Sequence, residues 1–157
     1  MKKEILKSVP VVAAMNIGKA GEKDGNYTFK AIAINARNKD NEANSKEKQI
    51  LEYFKNNAKE DKVEIDEENQ ILRVYRPVSL DKNQGCLQCH GDPATSPWHN
   101  GKDILGYQME NMKDGDLKGA FVIEQSLAAV AKTSNAVTSR VLIVTLGITI
   151  LFLTLAF

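Results

Sequence analysis

At residues 86–90 the chain reads Cys86-Leu87-Gln88-Cys89-His90. This pattern, C-x-x-C-H, is the attachment signature of a c-type haem. Two thiols must add to the two vinyl groups on one edge of a porphyrin, and a gap of two residues on a tight, helix-like turn sets the sulfurs about that far apart. The histidine that follows is then able to turn its ring under the iron as the proximal ligand. The motif therefore predicts one covalent haem c, attached through Cys86 and Cys89 and bound by His90.

Three other interpretations of the motif are weaker. A structural zinc site needs four ligands, and besides His90 the only other histidine is His99. A thioredoxin-type dithiol is expected near a βαβ pattern and has no use for a histidine directly after its second cysteine. A surface disulfide would leave the order C-x-x-C-H to coincidence. The chain has only two cysteines, so none remains for a structural disulfide elsewhere.

The charges of the chain are balanced in number but uneven in position. The 157 residues include 21 Lys and Arg against 20 Asp and Glu, a composition that does not suggest nucleic acid as a partner. Every charged residue lies at or before Arg140, and residues 141–157 read VLIVTLGITILFLTLAF. That run is slightly shorter than the roughly 20 apolar residues that cross a bilayer, but residues 135–140 allow an earlier helix start. A buried core helix is disfavoured because the run has no polar face, so we predict a transmembrane helix, with Arg140 reaching back to the interface.

The N-terminus only loosely resembles a signal peptide. Glu4 and Lys7 interrupt its apolar segment, which is at the lower limit of length. Haem c is attached outside the cytoplasm, so the natural protein should carry an export signal or a first membrane helix. We therefore expect the sequence to be a piece of a longer protein, cut between two membrane helices and just after the second.

Hydrophobic periodicity predicts both helices and strands. Helical spacing covers Glu4 to about Ala20, with a kink or a new helix start at Pro10, and residues 21–26 are typical of a turn. The remaining predicted elements are a strand over 27–34, a helix over 45–57, a hairpin over 62–66 and 70–76, and a last strand over 118–124.

The predicted elements group into four segments. They are an N-terminal helical segment (1–20), a haem domain (21–126), a stalk helix (127–140) and a transmembrane helix (141–157). In the stalk, apolar residues step by three and four. This spacing fits equally a helix packed on its own domain and a dimeric stalk that carries a signal into the membrane.

Four further stretches extend the pattern beyond the motif. They are VPVVAAM (9–15), ARNKDNEANSKEKQIL (36–51), VYRPVSLDKNQGCLQCHGDPATSP (74–97) and DILGYQMENMKDGDLKGAFVI (103–123). Together they resemble a family of extracytoplasmic haem c sensor domains with a PAS-like fold, found in bacterial methyl-accepting chemotaxis proteins and sensor histidine kinases. The resemblance runs from about Val9 to Ala128. It departs at Asn38-Lys39, where the family usually has Asn-Pro.

The resemblance implies an α+β fold, with a PAS-like antiparallel sheet flanked by helices and haem on one side. It implies homodimers that are able to exchange their N-terminal helices. It also implies that the sixth iron position is taken by water or by a methionine of the N-terminal helix, and the matching residue is Met15.

The residues themselves leave the sixth iron position open. A thioether ligand raises the reduction potential and blocks small ligands, but a lone methionine among apolar residues is more often core filler. The candidates are Met15, Met109, Met112, His99 and a water-filled site. Arg73 and Arg76 are candidate contacts of the haem propionates, since a guanidinium pairs bidentately with a carboxylate. Solvated arginines on a strand face are the alternative.

Two functions fit these predictions. The first is a sensor in the inner membrane, with its haem domain on the periplasmic side, that detects redox state or a small haem ligand such as NO or CO and signals across the lipid bilayer. The second is a membrane-anchored monohaem c-type cytochrome in electron transfer. An enzyme is not expected, because the sequence identifies no acid–base residue near the distal side of the haem.

Overall fold

The computed structural model describes residues 2–7, 9–57 and 60–155. Helices and strands both occur in these ranges, as predicted. In chain order they are α1 (Lys2–Lys7), α2 (Pro10–Gly25), β1 (Tyr27–Ile32), α3 (Ser45–Asn56), β2 (Lys62–Asp66), β3 (Ile71–Ser79), α4 (Leu87–His90), β4 (Leu117–Ser126) and α5 (Leu127–Leu155). Single 3-10 turns lie at Lys39–Asn41, Lys82–Gln84 and Pro93–Thr95.

The four strands form one antiparallel sheet in the order β1-β4-β3-β2. The predicted hairpin is confirmed, with β2 and β3 paired from Asp66 opposite Ile71 to Lys62 opposite Tyr75. The last strand, β4, lies between β1 and β3 and pairs with both. The predicted α+β class is therefore correct, with a central strand that comes late in the chain.

The hydrophobic core lies between α3 and one face of the sheet. Ile50, Leu51 and Phe54 of α3 are buried in one cluster with Tyr75 and Val122 of the sheet. The start of α3 is fixed by a capping box, in which the Asn44 side chain accepts from the backbone N–H of Glu47 and the Glu47 carboxylate accepts from that of Asn44.

The first long helix, α2, packs against β1 through small residues. Pro10 is its first residue, which confirms the predicted new start. The predicted turn at 21–26 is wrong, because α2 continues to Gly25 and ends at Asn26 in a left-handed conformation. The glycines serve close packing instead: a Cβ at Gly18 would lie 2.6 Å from the Phe29 ring, and the Tyr27 hydroxyl donates to the Gly18 carbonyl at 3.0 Å.

The last helix, α5, follows β4 without a linker. The backbone N–H of Leu127, its first residue, donates to the carbonyl of Gln70 at 2.8 Å. Residues 134–154 of α5 have a mean hydropathy of 2.1, none of them buried, and are long and apolar enough to cross a membrane. The predicted stalk and transmembrane segments thus form one helix, although residues 156 and 157 lie outside the described ranges.

Candidate haem-attachment site

The C-x-x-C-H motif forms a single helical turn. The backbone N–H groups of Cys89 and His90 donate to the carbonyl of Cys86 at 3.2 and 3.0 Å, and that of Gly91 donates to the carbonyl of Leu87 at 2.9 Å. A Cβ at Gly91 would collide with that same carbonyl, so the turn closes on a residue without a side chain. Both thiols are partly exposed. The turn predicted from the motif is the turn that forms.

A neighbouring segment holds this turn from the other side. The backbone N–H of Met112 donates to the carbonyl of His90 at 2.9 Å, and that of Asn111 donates to the carbonyl of Gly91 at 3.0 Å. The end of α4 is therefore fixed by main-chain bonds to the segment that leads into β4.

The Arg37 guanidinium lies at the centre of the site. It donates to the Cys89 carbonyl at 2.7 Å, to the Asp103 carboxylate at 2.6 Å, and to Glu110 at 3.1 and 3.2 Å. Its side chain is only 19% exposed, and it lies 5.2 Å from the centre of the Tyr107 ring. One side chain thus joins the loop after β1 to the haem motif and to residues 103–110.

The partner of Arg37, Asp103, is fully buried. Its other carboxylate oxygen accepts from the backbone N–H groups of Leu105 and Tyr107 at 2.8 and 2.9 Å. A buried charge persists only when it is paired and hydrogen-bonded, and Asp103 meets both conditions. Burial, with a smaller contribution from Asp103, raises the pKa of the Cys89 thiol.

The imidazole of His90 is held by a carboxylate. Its Nδ1 lies 2.6 Å from Oε2 of Glu110, while Oε1 of Glu110 also contacts Arg37 and Lys118, each at 3.1 Å. Burial opposes the ionisation of Glu110, but the bonds from His90 and Arg37 hold its pKa below the usual value. Burial also lowers the pKa of His90. Because the ionised carboxylate only accepts, the proton of a neutral His90 lies on Nδ1.

This donor set fits a haem c. Nδ1 is taken by Glu110, and in the described part of the chain Nε2 of His90 has no hydrogen bond or ion pair, so Nε2 is the atom free for iron. Two thiols on the same turn precede it. In the ranges described, no group of three or more His, Cys, Asp or Glu is arranged to hold a metal ion.

The two predicted propionate contacts, Arg73 and Arg76, are both paired with carboxylates of the chain. Arg73 pairs with Asp66 at 2.9 Å and with Glu124 at 3.0 Å, and Arg76 makes a bidentate pair with Asp61 at 2.8 and 2.6 Å. Both guanidinium groups therefore already have carboxylate partners. A role at the propionates stays a prediction.

The candidates for the sixth iron position lie in different environments. Met15 is half-buried on α2, three residues before Gly18, which packs against the Phe29 ring of β1. Met109 is buried, at 3% exposure, whereas His99 is exposed. Met112 lines a cavity of about 190 Å³ together with Glu110 and Lys118. The role of Met15 at the iron stays a prediction.

Sequence reasoning missed Arg37, Asp103 and Glu110. All three lie within stretches that carry the family resemblance, at 36–51 and 103–123. No spacing rule connects them, because Arg37 and Asp103 lie 66 positions apart in the sequence. Only the fold brings them to the haem motif.

Fold and site together define an α+β domain with a Cys-x-x-Cys-His turn held beside its sheet and an apolar helix at its C-terminal end. The family model described as Tll0287-like (Tll0287) matches residues 1–126. The chain therefore belongs to the Tll0287-like family.

One solved structure is similar to this chain. It is described as the crystal structure of the cyanobacterial heme-protein Tll0287, with a TM-score of 0.54 and 16% sequence identity. The match covers 69% of this chain and 66% of that chain, slightly under two thirds of its length. At this identity the likeness supports the fold alone. Comparison with curated proteins finds no match.

Proposed function

We propose that this chain is an extracytoplasmic haem c sensor domain with a PAS-like fold. Cys86 and Cys89 would form the thioether links and His90 would bind the iron through Nε2. The observation that carries the proposal is the His90 imidazole, which follows two thiols on one turn and has its other nitrogen held by Glu110. When bound, the haem would supply an iron centre that changes oxidation state or takes up a small ligand.

Two further observations support the cofactor. The chain belongs to a family named after Tll0287, and the similar solved structure is described as a heme-protein. The antiparallel sheet with α3 on one face is the observation that supports the PAS-like fold, which the family resemblance implied.

The attachment is tested by expressing the chain with a c-type haem maturation system. The pyridine haemochrome spectrum and the mass of the denatured protein report one covalent haem. The single variants Cys86→Ser and Cys89→Ser should each remove one thioether link, and the double variant should remove both. His90→Ala should remove the native histidine ligand of the iron. His99→Ala is the matched control for covalent attachment alone, because His99 is the other histidine and lies outside residues 86–90. A wild-type chain whose mass lacks haem would contradict the proposal.

The sensor function rests on the junction between β4 and α5. We place the haem domain on the periplasmic side of the inner membrane, with α5 crossing the bilayer, as a homodimer able to exchange N-terminal helices. The proposed stimulus is redox state or a diatomic ligand such as NO or CO, and the output is a chemotaxis or kinase domain. The direct connection of the central strand to a helix with the hydropathy of a membrane span supports this route. We propose sensing rather than enzymatic catalysis.

A membrane-anchored monohaem cytochrome is the second candidate, favoured by the same helix acting only as a tether. CO binding followed by stopped flow separates the two, because a dedicated electron carrier keeps both axial ligands and excludes CO. For the sensor, a natural protein that ends shortly after Phe157 with no signalling domain would be a contradiction. Full-length sequencing of the transcript decides this point.

A further inference from the structure

Glu110 makes a contact with His90 that attachment of a haem does not require. Thioether formation uses the two cysteines, and iron binding uses Nε2 of His90. The 2.6 Å contact between Glu110 Oε2 and Nδ1 of His90 lies on the opposite side of the imidazole ring. The proposed function therefore leaves this contact unexplained.

We infer that Glu110 is a positioning residue that sets the reduction potential of the bound iron through Nδ1 of His90. This inference deepens the proposed function and rests on it. A carboxylate that accepts the Nδ1 proton fixes the ring and raises the basicity of the other nitrogen. A more basic ligand stabilises the ferric state, so the potential falls.

The cations around Glu110 determine how strongly its carboxylate raises the basicity of His90. Arg37 bonds both carboxylate oxygens, at 3.1 and 3.2 Å, and Lys118 bonds Oε1 at 3.1 Å. These cations hold the carboxylate in place while withdrawing part of its charge from His90. The side chain of Glu110 is 29% exposed, so water weakens the interaction only in part.

The test is the midpoint potential of the haem-loaded full chain in detergent, measured by spectroelectrochemistry. Glu110→Gln retains the shape of the side chain but removes its charge. At a fixed applied potential, the ratio of reduced to oxidised haem should rise about tenfold, which corresponds to a shift of about +59 mV for one electron. A merely structural role for Glu110 would not move the potential in this way.

Glu124→Gln is the matched control. Glu124 is 28% exposed and contacts an arginine Nε at 3.0 Å and a lysine at 3.7 Å. Glu110 likewise contacts an arginine Nε and a lysine, each at 3.1 Å. Glu124 differs in having no histidine partner among the described contacts. Arg73 also bonds Asp66, so we expect it to stay paired in that variant. Equal shifts in the two variants would overturn the inference.

A second measurement covers the case in which Glu110→Gln does not fold. The resonance Raman spectrum of the wild-type ferrous protein, taken just after photolysis of CO, reports the iron–histidine stretch. A carboxylate on Nδ1 should raise its frequency above that of a ferrous haem whose histidine bonds a neutral carbonyl, and an equal frequency would contradict the inference. A chain that holds no haem would overturn the proposed function first, and the pyridine haemochrome spectrum detects that case separately.

Discussion

Arg37 donates a hydrogen bond of 2.7 Å from Nη2 to the backbone carbonyl of Cys89, 52 positions further along the chain. The same guanidinium neutralises the buried carboxylate of Asp103. The position of the haem motif thus depends on a side chain from the loop after β1. Arg37 therefore joins that loop to the residues that we propose to hold the haem.

Replacing Arg37 should destabilise the protein strongly. In Arg37→Lys the charge remains, but a single ammonium is unable to reach Cys89, Asp103 and Glu110 together. Leaving Asp103 poorly paired in the interior should lower the free energy of unfolding by about 3 kcal/mol. Urea unfolding of the full chain in detergent measures the loss.

Arg76→Lys provides the control for this substitution. Arg76 pairs with Asp61 through Nε and Nη2, as Arg37 pairs with Glu110. The Arg76 side chain, however, is 69% exposed. An exposed pair contributes at most about 1 kcal/mol. A loss in Arg37→Lys no greater than that in Arg76→Lys would mean that the contacts of Arg37 do not stabilise the site.

Met15→Ala should change the absorption spectrum of the haem-loaded protein if its sulfur is the sixth ligand. Loss of a thioether ligand opens the iron to small molecules, so CO should bind roughly ten times faster or more. Stopped flow and the spectra of both redox states record the change. Ile17→Ala is the control on the same helix, since Ile17 is 73% exposed. Unchanged spectra in Met15→Ala would remove Met15 from the iron.

The stability of the sheet should depend on pH through Asp66. The bonds from Arg73, and then those from Asn69, lower the pKa of Asp66 from 3.8 to about 2. Because the pKa of Asp66 is lower in the folded state than in the unfolded chain, its carboxylate stabilises the folded state at pH values above 3.8. That contribution is lost as the pH falls from about 3.8 through about 2.

Asp66→Asn should therefore flatten the dependence of unfolding free energy on pH in this acidic window. Chemical denaturation at several pH values measures the slope. Glu68→Gln is the comparison, because Glu68 is exposed in the same turn of the hairpin. A slope in Asp66→Asn as steep as in the wild type would contradict the assignment.

Two lysines in the apolar part of α5 should prevent stable membrane insertion. Leu146 and Ile150 lie within residues 134–154, and a lysine near the centre of a span costs about 2.5–3.5 kcal/mol. The double variant Leu146→Lys/Ile150→Lys should move into the carbonate-soluble fraction of cells, whereas Lys132→Glu, outside the span, should not. Retention of the double variant in the membrane fraction would argue against insertion of α5.

Local patterns in the sequence were sufficient for much of the fold. The hairpin was predicted because its alternation and turn lie within a few residues, and Pro10 marked a helix start because it lacks an N–H that an interior position needs. The C-x-x-C-H turn was predicted for a similar reason, since the bonds that close it, from the N–H groups of Cys89, His90 and Gly91, lie within residues 86–91.

What depended on contacts between distant segments was not predicted. Gly21 and Gly25 had the composition of a turn, yet they lie in α2, where a Cβ on either would clash with the Tyr27 side chain. Glu110 and Arg37 carried no motif, and their roles follow from a sheet whose last strand brings residues 103–118 beside the haem turn.

The bond of Leu127 to Gln70 ties the first residue of α5 to the sheet, so a rotation there would move the whole helix. With 29 residues at 1.5 Å each, the helix is about 44 Å long. A rotation of about five degrees where it leaves the sheet would displace its far end by roughly 4 Å. A small rotation beside β4 would thus become, at the opposite end of α5, a displacement of about three-quarters of the 5.4 Å pitch of a helical turn.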